Sequence, residues 1–233
     1  MTRHELKEQL QHDHFTDAVS HIVSYSFSNR QVLIRWATVV IAALVIAGGA
    51  FWFASYRDSA RQHDLDAALA IANAQVGPAS EGVKAFPTEA EKRAAETKAF
   101  SEILAKYGGS RQALVAQYYL GTLKAQSGDP KGAESDLRAV AETSSECAPL
   151  AKIALAQLLA GQNKTREAVG LLQSLVNKPA DLVSKSQAQV LLAQIQQTSN
   201  PQEAKKILQS LKGPGERPAV ARAADQLSAE LTK

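Results

Sequence analysis

From Trp36 to Tyr56 the chain runs for 21 residues without a charged side chain, WATVVIAALVIAGGAFWFASY. At 1.5 Å of rise per residue, a helix of that length covers roughly 30 Å, the thickness of a bilayer's hydrocarbon core. Arg30 and Arg35 bound the run on one side, and Arg57 and Asp58 on the other. Trp36 sits at one end, and Phe51, Trp52, Phe53 and Tyr56 sit at the other, as an interfacial aromatic belt would. The apolar core of a signal peptide is shorter than this run and is usually reached sooner than residue 36. The reading is therefore an uncleaved, single-pass signal anchor: a tail over 1–35, a transmembrane helix over 36–56 and a domain over 57–233. Arg30 and Arg35 on one side balance Arg57 and Arg61 on the other, so charge alone leaves the orientation open. Within the run, Ala43, Ala47, Ala50 and Ala54 follow a 4-3-4 spacing and share one helical face. Such a small-residue face lets helices approach closely in lipid, which makes these four alanines the candidate membrane helix-packing face.

The tail holds four of the five histidines. On a helix, His14, Asp17 and His21 share a face, but no two histidines stand at the i, i+4 spacing and there is no HExxH. They read as solvated polar residues, and no metal is expected. Phe15, Ala18, Val19, Ile22 and Val23 recur at helical spacing, which predicts an amphipathic helix suited to a membrane surface or a partner. The tail's charges cancel, so strong attraction to anionic lipid is not expected.

After the run every strong pattern is helical, and the fold class predicted is all-α. Arg57 to Gln75 continues the membrane helix with an Ala-rich face, and VGPASEGVKAFP reads as a loop. Thr88 with Glu91 opens a helix as a capping box would, and Gly108-Gly109 closes it. A self-similar period follows. Leu120-Gly121, Ala133, Leu137 and Val140 reappear 35 residues later as Leu155-Ala156, Ala168, Leu172 and Leu175. A third unit has Leu192-Ala193, Ala204, Leu208 and Leu211, and Ala99 and Ile103 mark a partial first one. Turn signals fall between the paired helices at Gly128-Asp129-Pro130, Gly161-Gln162-Asn163 and Asn200-Pro201. In the last of these, Asn200 suits a cap, Pro201 the first helical position and Glu203 the return arm of the box. The stretch from about Ala219 to Leu231 reads as a terminal capping helix.

This pattern resembles the tetratricopeptide repeat, in which a large-small pair on the first helix faces a small residue on the second. The aromatic usual early in the first helix is missing, with Gln117 and Lys152 near its place. Because one helix pair cannot bury its apolar face alone, such units stack into an α-solenoid.

No catalytic constellation emerges, and an enzyme is not expected. His63 is the only histidine outside the tail, so a Ser-His or Cys-His pair has almost no candidates. The single cysteine, Cys147, reads as a small packing residue and excludes an intramolecular disulfide. Gly128 to Gly132 is a turn without the spacing of a phosphate loop. A net charge of +3 from 26 basic and 23 acidic residues is too weak to argue for nucleic acid. No cofactor is expected.

Binding remains. In the repeat register, Thr122, Gln157 and Gln194 hold equivalent inward places, with Tyr118 and Ile153 one turn earlier. This column is the candidate partner-binding groove. It is polar but uncharged, unlike the Lys/Arg clamps that hold acidic peptide tails, which favours another folded protein or an unfolded apolar segment. The competing reading is that these residues pack repeat against repeat.

The whole arrangement resembles the ancillary SecYEG translocon subunit (YfgM-like) family. The resemblance rests on the short tail and single span, the Arg57-Asp58-Ser59-Ala60-Arg61 helix start, KAFSEILAKYGGS over Lys98 to Ser110, and the repeats that follow. It implies a protein of the cell inner membrane with its N-terminus cytoplasmic and its repeats periplasmic. The implied partners are translocon subunits, a membrane-anchored periplasmic chaperone and exported polypeptides. A scaffold for envelope assembly, or a stress-signalling anchor without a translocation role, is the alternative.

Overall fold

A computed structural model describes residues 30–77, 85–213 and 217–231. The expected amphipathic helix around Phe15 to Val23, the histidines of the tail and the middle of the loop before Thr88 lie outside these residues. Two compact units divide between Ser59 and Ala60.

The apolar run forms part of helix α1 (Arg30–Ala72). Among the described residues it is the one helix long and apolar enough to cross a membrane, and its most apolar stretch is not buried inside the protein at all. Phe51 is 78% exposed and Ile46 71%, which in water would forgo about 1.5–3 kcal/mol for each such side chain. The hydroxyl of Thr38 donates to the carbonyls of Ile34 (3.0 Å) and Arg35 (2.8 Å), so this polar group is satisfied within its own helix, as lipid requires. Trp52 and Tyr56 stack at 6.0 Å, and the Arg57 guanidinium lies 5.7 Å from the Phe53 ring centre. Such a helix fits a membrane anchor or a signal sequence.

The second unit is built from helix pairs. The end of α1 is followed by α2 (Glu89–Tyr107), α3 (Arg111–Gln126), α4 (Pro130–Ala141), α5 (Ala148–Gly161), α6 (Thr165–Asn177), α7 (Lys185–Ser199), α8 (Pro201–Ser210) and α9 (Pro218–Glu230). From α2 onward each helix packs on the next, α3 also touches α5, and α5 touches α7. That nearest-neighbour pattern is the solenoid expected from the period.

Burial follows the repeat landmarks. Ala133, Ala168 and Ala204 are fully buried, as are Leu172 and Leu208, with Leu137 close behind. A Cβ on Gly121 would lie 2.8 Å from Leu137 Cγ, so α3 and α4 meet more closely than a methyl group allows. The hairpin turns repeat as well. Gly128 (φ 80°) and Asn163 (φ 62°) both adopt the left-handed conformation that ends a first helix. The N–H groups of Asp129 and Lys164 then reach back to the carbonyls of Lys124 (2.9 Å) and Leu159 (2.8 Å). The third turn is tighter: Asn200 caps the end of α7 and the start of α8 at once. Its side chain accepts from the Glu203 N–H at 3.3 Å, while its own N–H donates to Gln196 O at 2.8 Å. The expected return arm from Glu203 is thus replaced: its carboxylate lies 3.5 Å from Lys206 Nζ.

Two further expectations are corrected. Helix α1 ends at Ala72 rather than Gln75, and the following loop contains a short parallel pairing of β1 (Gln75–Val76) with β2 (Ala85–Phe86). The backbone at Gln75 bonds to β2 instead of continuing the helix, and Gly77 N–H adds a bond to Phe86 O at 3.0 Å. Three apolar clusters form the core. One joins Leu65 and Ala68 of α1 to Phe100, Ile103 and Leu120, the central one spans α4 to α7, and the last seats Ala224 of α9 against Ala204 and Leu208.

Candidate partner-binding face

The five residues of the column stand on the three consecutive first helices α3, α5 and α7, whose neighbouring members touch. Tyr118 is half-buried against the central core and meets Tyr119 edge-on at 5.5 Å, and Tyr119 stacks on Phe100 at 4.7 Å. Burial, with smaller contributions from Tyr119 and Cys147, pushes the Tyr118 phenol above its ordinary pKa. Ile153, one repeat later, is likewise half-buried against the same core. The Thr122 hydroxyl donates to Tyr119 O at 2.8 Å and so bonds to its own helix. Gln157 and Gln194 are exposed. The column therefore has two layers: Tyr118 and Ile153 present only an edge beyond their packing against neighbouring helices, and the two exposed glutamines present amide donors and acceptors.

The charged groups sit mainly on the second helices. Glu134 of α4 accepts from Lys164 and Arg138, both at 2.8 Å, and Arg138 reaches Glu167 at 3.3 Å. Those bonds, Lys164 first and Arg138 next, hold the Glu134 carboxyl below its ordinary pKa. Near the start of the domain, Asp64 accepts from Tyr107 Oη at 2.7 Å and Lys106 Nζ at 2.9 Å, tying the end of α1 to the end of α2. The same two donors lower the Asp64 pKa. Lys124 pairs with Asp136 at 2.6 Å across the α3–α4 hairpin. None of these pairs belongs to the column.

Ala43, Ala47, Ala50 and Ala54 lie along α1, each exposed. A Cβ added at Gly48 or Gly49 beside them would meet nothing within 4 Å. Cys147 is buried at the start of α5, its Sγ 3.3 Å from Ser145 Oγ. Among the described residues, no group of three His, Cys, Asp or Glu side chains could hold a metal.

Stacked helix hairpins with small residues at each crossing define a class of protein-interaction scaffold, in which a run of first helices forms a continuous face. The chain belongs to the tetratricopeptide repeat-like domain family, whose pattern matches residues 32–181. The matched stretch takes in the apolar run as well as the helices through α6. Such domains are typically non-catalytic and mediate protein–protein interaction. No curated protein and no solved structure matches the chain.

Proposed function

We propose that this chain is a non-catalytic, membrane-anchored adaptor ancillary to the Sec translocon. In this reading residues 36–56 cross the cell inner membrane, the N-terminal tail is cytoplasmic and the repeats over 57–233 are periplasmic. The Ala43, Ala47, Ala50 and Ala54 face packs against translocon helices. The face carrying Tyr118, Thr122, Ile153, Gln157 and Gln194 receives a membrane-anchored periplasmic chaperone or an emerging exported chain.

The observation that carries the reading is the pairing of an apolar helix left uncovered among the described residues with a repeat face of uncharged amides. The first suits lipid and a helical partner. The second offers no cationic clamp for an acidic tail, so it suits a surface recognised by shape and amide hydrogen bonds. The sequence resemblance to the translocon-associated family points the same way. The test is photo-crosslinking in intact membranes from positions 43, 47, 50 and 54. Adducts with translocon subunits support the proposal, and adducts with lipid alone refute the lateral docking. A pull-down that returns cell-wall or regulatory proteins in place of translocon and chaperone would favour the envelope-scaffold alternative.

A further inference from the structure

The aromatic side chain that a tetratricopeptide unit usually carries three residues before its large-small pair is absent from all three units, where Gln117, Lys152 and Gln189 stand, and the first two vacancies differ. In the first unit Gln117 stands there and reaches Asp136 of α4, with Nε2 3.4 Å from Oδ1. In the next unit the place belongs to Lys152, and the residue equivalent to Asp136 is Leu171, so no carboxylate answers it. A cavity of about 510 Å³ opens beside Lys152, between the α4–α5 loop and the α6–α7 loop. None of the five column residues lines it.

Its walls are fixed. On one side Thr143 Oγ1 bonds to Val140 O and to Ser145 Oγ, both at 2.7 Å, and Arg111 holds Glu146. On the other, Ala180 and Val183 exchange backbone bonds at 3.1 and 3.0 Å. That closure buries Val183 completely and leaves Leu182 52% exposed. Leu182 is one of only two exposed large apolar side chains outside α1 among the described residues. Pro149, Leu175, Pro179 and Leu182 supply apolar walls, and Lys152 and Lys178 supply two ammonium groups. Neither lysine forms an ion pair among the described residues. With Glu146 engaged by Arg111, the remaining acidic group of the lining is Asp181, so the cavity keeps an excess of one positive charge.

We propose that this cavity is a second docking site, for an extended segment of a protein partner that inserts an aromatic ring and sets one adjacent carboxylate between Lys152 and Lys178. The ring that the repeat pattern plants in cis is here received in trans. The single excess charge matches one carboxylate, and the apolar walls match the ring. The site holds whether or not the partner belongs to the export machinery.

The test uses the full chain in nanodiscs and a fluorescein-labelled peptide with one phenylalanine–glutamate pair in a glycine–serine background, followed by anisotropy. Saturable binding is expected, weakened about tenfold when either glutamate becomes glutamine or phenylalanine becomes serine, since each change removes one charge-assisted or apolar contact. Lys152→Trp should fill the cavity and abolish binding with the helical circular dichroism intact. Lys178→Ala, on an exposed residue that cannot threaten the fold, should weaken binding about fivefold through the loss of one charged contact. No binding of the parent peptide, undiminished binding to well-folded Lys152→Trp, or equal binding of the serine–glutamate peptide (an anion site only) or of the phenylalanine–glutamine peptide (an apolar slot only) would overturn the proposal.

Discussion

Gly121 and Leu137 sit so close across the α3–α4 hairpin that a Cβ on the glycine would come within 2.8 Å of Leu137 Cγ and 2.9 Å of its Cδ2. The equivalent places in the following units, Ala156 and Ala193, hold a methyl group and are fully buried. The crossing of the first complete hairpin thus depends on the absence of one carbon. Gly121→Ala should destabilise the protein by about 1–3 kcal/mol, the usual cost of overpacking a filled core. Gly170→Ala on α6, where an added Cβ meets nothing within 4 Å, should stabilise it by about 0.5–1 kcal/mol through helix propensity alone. Thermal and urea unfolding of the two variants in micelles, followed by far-ultraviolet circular dichroism, checks both signs together.

The α5–α6 turn supplies a second expectation. Asn163 holds φ at 62°, the conformation glycine holds at Gly128 one unit earlier. Asn163→Val places a branched side chain in the left-handed region and should cost about 1–2 kcal/mol. Asn163→Gly should be close to neutral. The same unfolding measurements separate them.

Acid should act on the domain through opposing groups. Asp64 and Glu134 have folded-state pKa values below their ordinary ones, Asp64 through Tyr107 and then Lys106, Glu134 through Lys164 and then Arg138. Their stabilisation is therefore present above the unfolded values, near pH 4, and is lost as pH falls through the lower folded values. Glu96 is shifted the other way, chiefly because burial penalises its charge, with Lys92 at 3.9 Å opposing. Protonated Glu96 fits the fold better, so its contribution is present below its ordinary value and is lost as pH rises through the raised one. Tyr107→Phe should flatten the loss of melting temperature on acidification below about pH 4. Glu96→Gln should raise the melting temperature at pH 7 and make little difference at about pH 4, where the wild-type carboxyl is largely protonated. Melting curves at several pH values decide each.

The proposed anchor makes its own prediction. Ile46→Asp puts a carboxylate in the middle of the apolar run, which disfavours insertion by about 2.5–3.5 kcal/mol at a helix centre. The variant should become partly extractable by alkaline carbonate while the parent stays with the membrane fraction. Equal extraction of the two would remove the basis for reading α1 as a span.

Landmarks that set helix against helix were legible in the sequence, because a fixed period and a small residue at each crossing translate directly into burial: Ala133, Ala168 and Ala204 show no exposure. The pairing of Gln75–Val76 with Ala85–Phe86 left no such trace, since two-residue strands are held by backbone groups that every sequence carries. Tyr118 and Ile153 show a limit of another kind. Their register predicts an inner-face position, and periodicity cannot separate a groove residue from one that packs against the next first helix, whereas both lie half-buried on the central core. The vacancy at Lys152 was visible as a missing aromatic, yet whether neighbours close over such a gap depends on the α6–α7 loop, and there the Ala180–Val183 closure holds the wall open. Glu96 gave no signal at all, lying in a run of charged residues on a helix whose buried side is set by Phe100 and Ile103.

The most direct test of the adaptor reading is photo-crosslinking in intact cells from Gln157 and Gln194 on the first helices, set against Gln173, exposed on the second helix α6. The account predicts adducts with a periplasmic chaperone or exported chains from the first two positions and not from the third. Adducts from Gln173 at equal yield, or none from Gln157 and Gln194, would contradict it.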